Sequence, residues 1–587
     1  MKRYLSVGYS LCVAALLLTG CSDHQHQSSP AIRIRWAHDP ERLDPLSLHN
    51  QAAIDAYNLL NISLLQTDAL QQKLVPSLAE SFPTTRIVND SLTGIDYRIR
   101  SAATWDNGLP IVASDVAFTL KLMFCPGLPN EAAQSLYRFI KAVQVAENDP
   151  RRFTFVCRGQ SIEHTPITGD FFILSEAALD PKGYLQRFTL ADFQQQRAEI
   201  TVDPGVRAVA QRYQAATAPH TTNPLPGCGA YQLVQWKKDQ YLTFRRKAKW
   251  WADQVRPTPL VLQARPARLH YAIIPDAATA TLALRRGDLD VYPQMPAREF
   301  ERLRSSPAAR KDLRFYTTNS YDVATVGFNT RRPALADALT RQALSRCFNS
   351  PGLLRATQIG QGQLTVGLIS PADRLNYNDS LPLVPFAPQQ AAAMLRQAGW
   401  RQSPSATIPG WYRAGPQGQR QFLQLTLRYR ASDDLFTTIA LQFRAAAMGI
   451  GIPVQLLPTE SGAFSTALQD GDFDMFIRTL RGNPFMFNFT SILHTAGIGA
   501  NNAYGFSNPA NDHLIEAIMT ASDPQQRAKR VRQFQALMQK QAPLTPLFFL
   551  SNRVATRRDL TGLYANSIKP GYSAMTLART PSSTPAP

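Results

Sequence analysis

Leu282 to Tyr292 reads LALRRGDLDVY, and Thr466 to Phe476 reads TALQDGDFDMF. In each, a stretch with helical character runs into a glycine, then an aspartate-flanked turn, then an apolar strand. A glycine at that point can take the positive φ that closes a helix. The two glycines, Gly287 and Gly471, lie 184 residues apart. One helix-turn-strand unit used twice predicts an α/β protein with one such unit in each of two lobes. The length of 587 residues agrees, because it exceeds what a single core sustains.

The flanking sequence reads the same way. Between the two units, Tyr321 to Thr330 (YDVATVGFNT) suits a buried strand, followed by a helix from about Leu335 to Phe348. Pro388 opens a helix that stops at Gly399, with Pro at N1 and Gly at C′. After the second unit come a Gly/Asn-rich stretch, a helix from Asp512 to Thr520 capped by Asn511 or Asp512, and a longer helix from Pro524 to Lys540. Pro543 to Leu550 reads as a strand returning to the first lobe. Nearer the start, Ile32 to Ala37 is a strand, Ala52 to Leu65 a helix and Tyr97 to Arg100 a strand. Ser114 is placed to cap a helix from Asp115 to Phe124, and Tyr231–Trp236 with Tyr241–Arg245 forms a hairpin.

The first twenty-one residues speak of compartment. Lys2 and Arg3 precede an apolar run too short to span a bilayer, which reads as a secretory signal. Its ending, Leu18-Thr-Gly-Cys21, looks like a bacterial lipobox, so Cys21 is the expected lipidation site. Several acyl chains on one cysteine give stable anchoring to a lipid bilayer. Ser22 to Pro30 has the composition of a tether, and the tail from Pro581 that of a disordered end.

Composition narrows the function further. The formal charge is +19, but the basic residues are scattered in twos, as at Arg285-Arg286 and Arg557-Arg558, without an aromatic-interleaved stripe. Nucleic acid is therefore not the expected partner, and the charge reads as a surface property. Of six cysteines, Cys12 leaves with the signal and Cys21 takes the lipid. Four remain for an oxidising compartment, with three pairings possible; Cys125 and Cys157, close in sequence, are the expected pair. No His-Glu-x-x-His, Gly-x-Ser-x-Gly or Gly-x-x-x-x-Gly-Lys-Ser/Thr occurs. Nine histidines, two of them in the tether, leave little for a metal cluster, so neither an enzyme nor a cofactor is expected.

Several blocks, in order, resemble the family 5 extracellular solute-binding proteins of ABC transporters, the oligopeptide- and dipeptide-binding lipoprotein group. Leu74 to Glu80 (LVPSLAE), Trp105 to Leu120 (WDNGLPIVASDVAFTL) and Gly227-Cys-Gly-Ala-Tyr231 are similar to its "P-x-LA-E", "W-x-DG-x-P" and "GTGPY" segments. Phe244 to Trp251 and Val326-Gly-Phe-Asn-Thr330 with Arg341-Gln-Ala-Leu344 match "RN-x-x-YW" and "Y-x-x-FN…RQAL". Asn107 stands where the family usually has aspartate, and Val112 where it has Thr or Ser.

The resemblance implies a type II periplasmic-binding-protein fold: two α/β lobes with a hinge of two crossing strands, and an extra subdomain inserted in lobe 1. The expected division is signal peptide 1–20, lipidated tether 21–30, lobe 1 31–72, inserted subdomain 73–211, lobe 1 again 212–320, lobe 2 321–542, lobe 1 return 543–580 and tail 581–587. It further implies a monomer that captures a peptide or peptide-like solute in the interlobe cleft and delivers it to an inner-membrane ABC permease. The same fold can serve a non-peptide solute (oligosaccharide, amino-acid derivative, metal chelate) or an envelope sensor without a permease. The expected place is the cell envelope, on either membrane of a two-membrane host or outside a single-membrane one.

The family's peptide binders hold the ligand ammonium with an aspartate after the second-lobe strand. Here the stretch runs Arg478-Thr-Leu-Arg481-Gly-Asn483-Pro484, placing Leu480 or, on a slip of three, Asn483 at that point. Neither is charged. Arg478 and Arg481 instead favour an acidic group on the ligand. His49 and Asn50 lie where the first-lobe loop meets ligand in relatives, or stabilise a turn. Tyr231 supplies an aromatic wall or packs its own hairpin, and Trp105 with Asp106 reads as a fold-defining turn.

Overall fold

A computed structural model describes residues 31–580 apart from 48–49, 223, 404–409, 416–417 and 500. The signal segment, Cys21 with its tether, His49 and the tail from Pro581 lie outside the described residues.

The two echoing stretches are built alike. Helices Ala277–Arg286 and Ser461–Asp470 each end on a glycine in the left-handed region, φ +83° at Gly287 and +70° at Gly471. The following N–H turns back in both: Asp288 donates to the Ala283 carbonyl at 2.8 Å and Asp472 to that of Ala467 at 3.0 Å. Each strand then runs parallel to a neighbour, with Val291 opposite Ile34 and Met475 opposite Leu427. The second aspartate of each stretch ties that neighbour down. Asp290 accepts the Arg33 N–H and Asp474 the Thr426 N–H, both at 2.8 Å.

One mixed sheet runs through both lobes. Its order is Val454–Thr459, Leu425–Arg430, Met475–Arg481, Leu313–Phe328, Leu544–Arg557, Val291–Pro293, Ala31–Trp36, Arg268–Ile273, Tyr241–Arg246 and Tyr231–Lys237. The two central strands, of 16 and 14 residues, pair antiparallel with each other from Leu313 opposite Arg557 to Gly327 opposite Leu544. At one end Leu544–Arg557 pairs with Val291–Pro293; at the other Leu313–Phe328 pairs with Met475–Arg481. These are the crossing strands that the resemblance implied, longer than the sequence indicated. A separate antiparallel sheet, Thr84–Asn89, Leu92–Arg98, Asp149–Arg158 and Ile140–Ala146, packs on the first-lobe core.

Cores divide in the same way. Trp36 stacks on Tyr271 with centroids 3.9 Å apart in the first lobe. In the second, helix Asp434–Met448 buries Phe436, Ile439, Ala440, Phe443 and Ala447, an i, i+3, i+4, i+7 stripe against Phe348. Among the described residues no helix is long and apolar enough to cross a membrane.

Four expectations need correction. The first helix is Gln51–Leu60, not Ala52 to Leu65, because Asn61 is extended and the chain enters strand Leu65–Asp68. Ser114 does not cap: helix Ala113–Leu122 starts after Val112, whose N–H goes to Asp115 Oδ2 at 3.1 Å. Asn508, rather than Asn511 or Asp512, caps helix Pro509–Met519. The Cys125–Cys157 bridge is not formed. Both thiols are free and buried, Cys125 Sγ facing the Pro126 carbonyl at 3.7 Å and Cys157 Sγ that of Phe155 at 3.9 Å, each sulfur aimed at backbone.

The most recognisable sequence blocks turn out to be joints. Trp105 Nε1 donates to the buried Asp115 carboxylate at 3.2 Å. Asp106 accepts the Gly227 N–H at 3.0 Å and pairs with Lys247. At Gly229 a Cβ would sit 2.4 Å from the Leu59 carbonyl oxygen, so no side chain fits there.

Candidate functional site

Gln51, Asp55 and Asn58 sit at i, i+4 and i+7 on the Gln51–Leu60 helix, so one stripe is polar while Ala53, Ala56, Tyr57 and Leu60 are buried. That stripe faces a cavity of about 560 Å³, whose opposite wall carries Tyr321 and Asp322 of the crossing strand and Arg481 and Asn483 of the second lobe. Both lobes thus bound it. Recesses of about 890 Å³ near Trp105 and about 310 Å³ beside helix Pro524–Gln541 each lie within one lobe. A cavity between lobes is the one that closure can seal around a solute.

Gln51 links the walls. Its amide nitrogen donates to Asp55 Oδ1 at 2.6 Å, and its oxygen accepts from Arg481 Nη2 at 2.7 Å. Asp55 is 9% exposed and sits near Tyr271 and Tyr572; burial pushes its carboxyl up to about 7. Asp170 follows helix His164–Gly169. It is open to the cavity by surface area, yet enclosed by the surrounding protein mass, and that desolvation raises it to about 7. Asp322 pairs with Lys569, and Asp68 accepts the Leu70 and Gln71 N–H groups at 2.8 and 2.9 Å. Among the described residues, no group of histidine, cysteine and carboxylate side chains is assembled as a metal site.

The structure separates the expected site residues by strand alternation. Arg481 lines the cavity and Asn483 joins it, its Oδ1 accepting the Phe485 N–H at 2.8 Å. Arg478 and Leu480 point to the other face. Leu480 packs in the aromatic core, while Arg478 donates to Tyr504 Oη at 3.0 Å and lies over the Phe476 and Tyr504 rings. Asn50 caps the helix that carries Gln51 and Asp55: its Oδ1 accepts the Ala53 N–H and its Nδ2 donates to the Asp39 carbonyl, both at 2.9 Å. Tyr231 is fully buried and donates to the Pro266 carbonyl at 3.0 Å, packing its own lobe. Gln51, Asp55, Asp170 and Asp322 were missed by sequence reasoning. The first two are legible as polar positions at helical spacing in QAAIDAYNLL; Asp170 sits on an irregular turn that carries no such signal.

Comparison with known proteins fits this geometry. A probable di/tripeptide-binding protein of Pseudomonas aeruginosa is 25% identical over 574 residues, 95% of this chain and 96% of that one. The oligopeptide-binding protein AppA of Bacillus subtilis, solved with a nonapeptide, superposes with a TM-score of 0.72 at 19% identity, covering 94% of this chain and 99% of that chain. NikA of Brucella suis, solved with Fe(III)-EDTA, gives 0.72 at 17% identity, covering 94% and 100%. These likenesses establish the bilobed type II periplasmic-binding fold. Residues 73–500 match the profile of the bacterial extracellular solute-binding proteins, family 5 Middle. This is a non-catalytic, extracytoplasmic class, and the chain belongs to the family 5 bacterial extracellular solute-binding proteins.

Proposed function

We propose that the chain is the solute-capturing lipoprotein of an ABC importer, acting as a monomer anchored through acylated Cys21 and delivering peptides or peptide-like solutes to a membrane permease. The observation that carries this reading is the interlobe cavity of about 560 Å³, with hydrogen-bonding groups on both walls. A ligand touching Asn58 on one wall and Arg481 or Asn483 on the other binds the closed arrangement better than an open one, and that differential affinity is what shifts the population. Relatives named for di/tripeptide and oligopeptide binding support peptides as the class.

A second reading, a non-peptide solute such as a metal chelate, is favoured by the uncharged Leu480 and Asn483 at the family's ammonium position and by a structural neighbour solved with Fe(III)-EDTA. Mass spectrometry of ligand released from protein purified gently from its host decides between them. Recovery of peptides supports the first reading, and recovery of a chelate or sugar overturns it.

A further inference from the structure

The basic doublets that look scattered along the sequence are gathered by the fold. Arg245-Arg246 closes strand Tyr241–Arg246, Arg285-Arg286 ends helix Ala277–Arg286, Arg310-Lys311 precedes strand Leu313–Phe328, and Arg557-Arg558 ends strand Leu544–Arg557. Register places all four at one end of the first-lobe sheet: Leu313 lies opposite Arg557, Val291 opposite Thr556, Ala31 opposite Arg268, and Arg268 opposite Arg245. Side chains link the doublets. Arg558 Nη1 donates to the Arg310 carbonyl at 3.0 Å, and a Cβ on Gly287 would lie 4.0 Å from Arg557 Nη1. From Leu313–Phe328 to Tyr241–Arg246 the row crosses five strand spacings, about 24 Å.

Little within the protein neutralises this end. Its ion pairs engage Arg33 and Arg579 with Asp290, Arg246 with Asp253, and Lys247 with Asp106. Arg245, Arg268, Arg285, Arg286, Arg310 and Lys311 are exposed and form no ion pair among the described residues. Against them stand the exposed Asp288 and Asp312, and Asp559, which already pairs with Arg579. Arg245 sits directly opposite Arg268, where like charges repel, and its neighbour on the other side, Gln232, is neutral. An anionic surface laid against the row turns that repulsion into attraction.

The chain itself indicates which surface. Ala31 opens the strand in the middle of the row, between Val291–Pro293 and Arg268–Ile273. Cys21 lies ten residues earlier, and ten residues reach at most about 35 Å. An acylated Cys21 therefore keeps this end of the molecule, and not the cleft, beside the bilayer. We propose that the basic end of lobe 1 docks on anionic lipid headgroups, through the phosphodiester groups of the membrane that holds the acyl chains. The inference rests on the reading of Cys21 as the anchor and adds an orientation to it. An anchor at one point does not set which way the lobes stand; a charged end pressed to lipid does. Asp322, on the cavity wall, is nine residues along its strand from Leu313, about 30 Å, so the docked molecule holds its cleft clear of the headgroups.

Vesicle co-sedimentation of the mature chain, made lipid-free by Cys21→Ser, tests this with phosphatidylcholine vesicles that contain or lack phosphatidylglycerol. An exposed cation at an anionic bilayer contributes about fivefold in affinity, and the attraction fades within about 8 Å at physiological salt. The expected result is binding to the anionic vesicles alone, weakened by added salt. Neutralising Arg245, Arg268, Arg285 and Arg286 to Gln together should weaken it by about tenfold or more. Neutralising Arg355, Arg401, Lys529 and Lys540 to Gln removes the same net charge from exposed positions of lobe 2 and should change it by less than about twofold. Melting curves verify that both variants fold. Equal loss in the two variants, or no binding to anionic vesicles, overturns the docking surface. Binding of dextran sulfate that depends on the same four arginines and exceeds vesicle binding marks a site for a soluble acidic polymer and overturns the lipid assignment. Mass spectrometry of the protein from its host reads the anchor separately: an unacylated Cys21 overturns the anchor reading, and the vesicle result then decides the docking surface by itself.

Discussion

Arg481 donates to Gln51 Oε1 at 2.7 Å across the cleft, joining the last residue of a second-lobe strand to the first residue of a first-lobe helix. The contact is exposed and neutral on one side, so a ligand acid can displace it at small cost. Replacing Arg481 with Ala is expected to weaken trialanine by about 10- to 100-fold, from a charged hydrogen bond worth about 1.5–3 kcal/mol. Trialanine amide should change far less. Titration of both probes reads the difference, and equal losses would show that Arg481 acts on the shape of the cleft.

A second interlobe contact is buried. Glu163 Oε1 accepts the Phe487 N–H at 2.6 Å and lies 3.6 Å from Arg527 Nη1. Burial raises the Glu163 carboxyl to about 7, against about 4.3 in an unfolded chain. A group that holds its proton more tightly when folded stabilises the fold below its unfolded value, and that contribution is lost as pH rises toward 7. The urea midpoint should therefore fall between about pH 5 and pH 8. Glu163→Gln should flatten that fall, with Asp55 and Asp170 supplying what remains. An unchanged slope in the variant would refute the assignment.

The four cysteines of the described residues should be silent in the native protein. Burial pushes Cys125, Cys157 and Cys347 up to about 12 and Cys228 to about 11, so almost no thiolate exists near neutrality. Iodoacetamide labelling followed by peptide mass spectrometry should find all four unmodified when folded and all four modified in guanidinium. A Cys125–Cys157 disulfide in protein exported by its host would contradict this.

The paired aspartates of the two echoing units should differ in weight. Asp290 accepts the Arg33 N–H and bonds the Arg33 and Arg579 guanidinium groups at 3.0 and 2.7 Å, whereas Asp474 accepts two donors from Thr426 at 2.8 Å each and has a single, longer guanidinium contact, Arg332 at 3.6 Å. Asp290→Ala should cost about 2–3 kcal/mol and Asp474→Ala about 1–2 kcal/mol. Chemical denaturation measures both, and the reverse order would mean that Arg33 and Arg579 regain in water what they lose.

Much of the fold was legible because its signals are local. The glycines at 287 and 471 close their helices in the left-handed region, and Pro388 with Gly399 bracket theirs, because backbone constraints act within a turn of chain. The turn at Trp105 was legible for the same reason, while its ties to Gly227 and Lys247, more than a hundred residues on, were not. The site was less so. Arg481 and Leu480 differ only in which way one strand alternates, and that is set by pairing with Leu313–Phe328, far off in sequence. Asp170 reaches the cavity through the packing of a loop, and no periodicity marks it.

The two crossing strands carry a mechanical consequence. Their ladder shifts register between Asn319 and Val323, leaving Ser320 to Asp322 off the Leu544–Arg557 edge at the level of the cavity, while Asp322 keeps its partner Arg481 on the other side. Twist can gather at this gap without breaking a rung on either flank. The ladder slips again between Ala324 and Thr325, so the ribbon joining the lobes carries two places, a few residues apart, where backbone pairing restrains it least.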